Sequence, residues 1–109
     1  MNFLKNLPET PEALADLIQI RDGRVISMSL TKSDDFRMML LAVSDGEAVS
    51  EEEYPVDTLY YVVEGTMPLE KDGVVYELRA GDCMAVEAGT PHAIGGNSAF
   101  KVLQVSGGR

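Results

Sequence analysis

The chain of 109 residues has no tryptophan, one cysteine and one histidine. A lone Cys83 excludes an internal disulfide and a multi-cysteine zinc site, and it suits a reducing compartment. A lone His92 has to find the partners of any metal or proton-transfer site among other residue types. Basic residues are scarce: nine Lys and Arg stand against 18 Asp and Glu, for a net charge of −9. Phosphate repulsion therefore argues against nucleic acid as a partner, and anionic membrane surfaces are disfavoured for the same reason. No apolar run approaches the roughly 18 residues of a membrane span. The opening MNFLKNLPETPEAL lacks the long apolar stretch of a signal peptide. The expectation is a cytoplasmic protein with neither a membrane nor a nucleic-acid partner.

Hydrophobic residues are plentiful, at 45%, enough for one globular domain with one core. Residues 1–23 read as a lead-in with a short helix. Thr10 caps it, Pro11 takes its first turn and Glu12 favours its positive end. Leu14, Leu17 and Ile18 recur at helical spacing, and the helix ends before Asp22-Gly23. From residue 24 to 109, the expected β-barrel, the pattern changes to that of strands. RVISMSL (24–30) sets Val25, Ser27 and Ser29 against Ile26, Met28 and Leu30, which is a strand with one buried face. FRMMLLAV (36–43), the acidic stretch 47–53, LYYVVEG (59–65), 66–71, VVYELRA (74–80), CMAV (83–86), 92–94 and AFKVLQV (99–105) continue the pattern. Turn dipeptides separate them, and Asp72-Gly73 is the best hairpin signal. Eight or nine short strands with frequent turns indicate an all-β sandwich or barrel.

The single histidine lies in GDCMAVEAGTPHAI (81–94), where the turn residues Gly89, Thr90 and Pro91 aim it. Gly81, Gly89 and His92 stand at the spacing of the second motif of the cupin family. Gly46, Glu52, Tyr54, Thr58 and Gly65 stand at that of the first. With "YYVVEG", these stretches make residues 40–105 resemble a cupin, whose fold is a double-stranded β-helix, or jelly-roll barrel. Pro55-Val56-Asp57 and the closing FKVLQV (100–105) are similar to a subgroup of compact single-domain cupins without a catalogued activity. The resemblance implies a divalent transition metal held by three histidines and a glutamate. Carried over by position, the first two histidines are Glu52 and Tyr54 here and the glutamate is Thr58, so that His92 alone keeps its type. In the second motif, Glu87 replaces the proline and Gly96 the asparagine.

On a strand, residues two and four apart face one side. Glu52, Tyr54, Thr58 and Tyr60 share parity, so they are expected to face the barrel interior with His92 as a ligand pocket. Asp57 has the opposite parity and is expected to point away. Two readings follow. In one, the five residues bind a small polar molecule through hydrogen bonds, with no metal or a weakly held one. In the other, Glu52 and His92, with Tyr54 or water as a third ligand, hold zinc, nickel, manganese or iron for dioxygenase- or isomerase-type chemistry. The methionines, Met38, Met39, Met67 and Met84 among them, read as core filler. Cys83 reads as a small buried hydrophobe, and Tyr61 and Tyr76 as outward residues at a subunit contact. The resemblance and the open sheet edges both imply a homodimer.

Overall fold

The computed structural model describes residues 3–107, at residue 51 in the backbone only. Eight strands follow one another: β1 (Val25–Ser29), β2 (Arg37–Val43), β3 (Ala48–Glu52), β4 (Asp57–Lys71), β5 (Val74–Arg79), β6 (Cys83–Val86), β7 (His92–Gly95) and β8 (Phe100–Gly107). All named pairings are antiparallel. The stretches 59–65 and 66–71, expected as two strands, form one strand of 15 residues. Its first part pairs with β8 and β6, and its second with β5 and β7. β4 thereby belongs to both sheets of the jelly roll and joins them.

The change of sheet happens where the β4–β8 register shifts, between Val62 and Glu64. Gly65 follows with a φ of 77°. A Cβ there would strike the Ala99 carbonyl oxygen and lie 3.0 Å from the Phe100 Cα. Only glycine supplies both the left-handed backbone and the close approach.

Alternation builds the interior. Thr58, Tyr60 and Val62 of β4 are buried while Leu59 and Tyr61 between them are exposed. Cross-strand partners share a face, so the inner wall reads in rows. One row runs Arg37, Ser106, Thr58, Val86; the next runs Met39, Gln104, Tyr60, Met84; a third runs Leu41, Val102, Val62. The wall is thus polar at one end and apolar toward the other. Met67, Leu69, Leu78, Ile94 and Phe100 close the inner core from the second sheet and the far end.

A second cluster lies outside the barrel, where Ile18, Leu30, Leu40 and Ala42 gather Leu14, Leu17, Ile26 and Met28. This cluster replaces the expected N-terminal helix. The only helical turn there is a 3-10 turn at Leu14–Leu17, preceded by Ala13, with no side-chain cap. Thr10, Pro11 and Glu12 precede it in irregular backbone. So short a helix is unstable on its own, and here tertiary docking fixes the segment. The Lys101 ammonium, almost fully buried, donates to the Ala15 carbonyl at 2.7 Å and pairs with Glu64 at 3.3 Å.

The methionines fill space as expected: Met67 is fully buried, Met39 and Met84 pack on the inner core and Met28 and Met38 on the outer one. Cys83 departs from expectation. It is exposed, because β6 turns Met84 and Val86 inward and Cys83 outward beside Tyr61. Tyr61 and Tyr76 are exposed. Among the described residues no helix is long and apolar enough to cross a membrane.

Candidate ligand site at the barrel mouth

His92 opens β7 directly after the turn at residues 87–90 and is 3% exposed. Two contacts hold that turn against the start of β4. The Gly89 amide donates to the Tyr54 carbonyl at 2.8 Å, and the Ala88 amide donates to the Asp57 carboxylate at 2.9 Å. Asp57 does point away from the interior, and in doing so it staples the turn that aims His92.

Both ring nitrogens of His92 are occupied. Nδ1 lies 2.9 Å from the Thr90 carbonyl oxygen, which can only accept, so Nδ1 carries a proton. In the neutral ring Nε2 is then an acceptor, and the Tyr60 hydroxyl donates to it at 2.7 Å. The Tyr60 phenol is pushed well above its ordinary value, first by burial and then by Tyr54 and the Glu52 charge. It therefore keeps its proton and remains a donor. The rings of Tyr54 and Tyr60 stand 5.8 and 5.5 Å from the imidazole, the second edge-on.

The other expected residues divide. Thr58 is 2% exposed, and its Oγ1 has no hydrogen-bond partner among the described residues. Glu52 stands across from His92 in the β3–β7 register but is exposed. The register slips between Val49 and Glu52, yet cross-strand partners share a face, so Glu52 stands on the side of His92, open to solvent, and its charge reaches the Tyr60 phenol.

These donors do not fit the metal that the resemblance implies. A metal needs the Nε2 lone pair, which the Tyr60 hydroxyl holds. The position of the usual glutamate carries a threonine hydroxyl, a poor ligand. Among the described residues no three of His, Cys, Asp and Glu cluster so as to hold a cation.

Beside this buried cluster a cavity of about 410 Å³ opens at the barrel mouth. Met39, Leu41 and Val49 form its apolar wall, with Val25 at the edge strand and Pro55 and Val56 at the loop before β4. Its polar border is Arg37, Gln104, Tyr54, Ser27 and Ser106, and Asp34 and Asp35 contribute from the turn before β2. Of the five expected pocket residues only Tyr54 borders it. Tyr60 and Thr58 lie one strand further, in register with Gln104 and Ser106. Arg37 and Gln104 were not singled out in the sequence, although a signal existed. Each is a polar residue at the parity of apolar inward neighbours, the first in RMMLLAV beside Met39 and Leu41 and the second in FKVLQV beside Phe100 and Val102.

Comparison with known proteins agrees with the fold. A family profile described as a cupin domain matches residues 39–106. A cupin superfamily protein from Desulfitobacterium hafniense is 44% identical, with a TM-score of 0.91 over 94% of this chain and 95% of that one. A Streptococcus pyogenes protein of unknown function is 21% identical, with a TM-score of 0.93 over 100% of this chain and 96% of that one. A putative mannose-6-phosphate isomerase from Ralstonia eutropha is 21% identical, with a TM-score of 0.77 over 94% and 100%. No curated protein matches the sequence.

Proposed function

The chain belongs to the cupin family, and from that premise we propose that it binds a small polar molecule in its mouth cavity without the four-ligand metal centre usual in the family. One observation carries this reading. The one surviving ligand histidine is tied at both nitrogens, while an adjoining cavity of about 410 Å³ combines an apolar wall with several convergent polar groups. That combination is the usual signature of a small-molecule site.

The test has two arms. Elemental analysis of protein purified without nickel affinity is expected to find far less than one metal per chain. A stoichiometric metal that is lost in His92→Ala overturns the metal-free part. A thermal-shift screen of small polar metabolites is expected to give ligands that raise the melting temperature by binding the folded state. The shifts should vanish in Ser27→Trp, which fills the mouth from an exposed edge-strand position. A screen without any ligand, or shifts that survive Ser27→Trp, overturns the cavity reading.

A second reading is a metal-dependent isomerase or dioxygenase that uses Glu52, His92 and Tyr54 or water. It is favoured by the register of Glu52 opposite His92 and by likeness to the putative isomerase. It requires Tyr60 to release Nε2. A rise in melting temperature with millimolar zinc, manganese or iron would support it.

We also infer a homodimer. β5 pairs only with β4 and exposes Val74, Val75 and Tyr76 at 49%, 58% and 41%. An apolar edge strand of this kind is normally covered. Light scattering at micromolar concentration should report two chains, and a monomer would refute it. A cytoplasmic location belongs to the same proposal, since a free exposed thiol suits a reducing compartment.

A further inference from the structure

Resting on the ligand-binding reading, we infer that the occupant of the mouth cavity is a small zwitterion with an apolar body, of the α-amino-acid class. Charge distribution is the first argument. Arg37 borders the cavity and forms no ion pair with any described residue. Asp34 and Asp35 border the same cavity from the adjoining turn, and neither is paired with that guanidinium. The mouth therefore presents one positive and two negative groups that do not neutralise each other.

Each simpler ligand leaves part of that arrangement unmet. A lone carboxylate satisfies Arg37 but meets two like charges. A lone amine satisfies the aspartates but meets a guanidinium. A neutral molecule leaves these three exposed charges to water and gains nothing from them. A carboxylate and an ammonium on one carbon engage both signs, with the planar guanidinium suited to grip the carboxylate through two parallel hydrogen bonds.

Gln104 gives an independent pointer. It is 8% exposed, borders the cavity and makes no side-chain hydrogen bond to any described residue. Its amide offers both a donor and an acceptor, which a zwitterion uses together: the NH2 toward a carboxylate and the oxygen toward an ammonium. The residue is buried while its amide atoms stay open to the cavity, where a ligand or water completes them. Below it, Met39 and Leu41 supply an apolar floor for a side chain, and methionine adapts to more than one shape.

Calorimetry and thermal shift with three matched probes test the inference: leucine, 4-methylpentanoate, which lacks the amine, and 3-methylbutylamine, which lacks the carboxylate. Methionine and phenylalanine extend the amino-acid arm. At least one amino acid is expected to bind at least tenfold more tightly than its single-charge analogues. Arg37→Gln should abolish that binding, and Asp34→Asn with Asp35→Asn should weaken it tenfold while leaving or improving that of 4-methylpentanoate. Circular dichroism and unliganded melting keep misfolded variants from counting as lost binding, with Arg37→Lys as a folded alternative that retains charge but not the fork. Single-charge probes that match the amino acids overturn the inference. So does amino-acid binding indifferent to Arg37 or to the aspartates. If no amino acid binds while another small molecule does so in a manner sensitive to Ser27→Trp, the zwitterion fails and the cavity reading stands. If nothing binds, both fail.

Discussion

Replacing Tyr60 by phenylalanine tests the chemistry of the buried cluster with a single oxygen atom. The ring stays in the inner core, so no cavity forms and hydrophobic burial is unchanged. What disappears is the 2.7 Å hydrogen bond to His92 Nε2. The imidazole is 3% exposed and its other nitrogen is committed to Thr90, so neither water nor a ring flip readily restores the bond. An acceptor left buried and unpaired costs about 1–3 kcal/mol. At roughly 4 °C per kcal/mol for a domain of this size, the melting temperature should fall by about 4–12 °C. Urea denaturation should show the same loss with an unchanged slope. A cycle with His92→Leu should return a coupling of about 1 kcal/mol or more, since the two groups act as one pair. The substitution also frees the Nε2 lone pair, so Tyr60→Phe should bind zinc at least about tenfold more tightly than the parent protein, a gain of ~1.4 kcal/mol. A stability change within about 0.5 kcal/mol, the range of an ordinary surface substitution, would refute the reasoning. So would nitrogen NMR that finds the neutral ring protonated at Nε2.

Three further outcomes follow from other parts of the molecule. The Tyr60 phenol is held above its ordinary value of 10.0, so above that pH the unfolded chain loses a proton that the folded chain keeps. The unfolded state then binds fewer protons, and stability falls as pH rises. The melting temperature should decline above about pH 10, and Tyr60→Phe should make that decline shallower. Gly65→Ala meets the Ala99 carbonyl and a left-handed backbone at once, so it should cost about 4 kcal/mol or more and strip the protein of soluble yield. Gly73→Ala shares only the positive φ in open space and should cost about 1–2 kcal/mol, which urea denaturation of the pair will separate. Lys101→Met leaves the Ala15 carbonyl without its donor. It should cost about 1–3 kcal/mol and raise hydrogen exchange mainly over residues 10–20.

The strands were legible because their information is local. Burial alternates over the first part of β4, β1 alternates in its sequence, β2 and β8 are mostly apolar runs, and Asp72-Gly73 marks the hairpin without reference to the rest of the chain. The glycines Gly81 and Gly89 were legible for the same reason, since each meets a backbone demand of its own turn. From this the sequence determined an all-β sandwich or barrel with His92 at a built turn, and the resemblance to a cupin narrowed it to a jelly roll with the usual metal ligands replaced. Where local signals misled, a distant partner had prevailed. Leu14, Leu17 and Ile18 carry helical spacing, but they dock in the cluster of Leu40 and Ala42 as a short 3-10 turn at Leu14–Leu17 followed by extended backbone at Ile18. Glu52 has the parity of Tyr54 and Tyr60 and stands opposite His92, but it is open to solvent, which parity along the chain does not decide.

Only the tertiary structure decided what His92 does and where a ligand can sit. Its partner Tyr60 lies 32 residues away, and only barrel closure brings the hydroxyl to Nε2. The cavity joins Arg37 from β2, Gln104 from β8 and Tyr54 from the loop before β4. Parity states which side of a strand a residue faces. Which residues meet across the barrel depends on register and closure, because those contacts are set between strands and not along them.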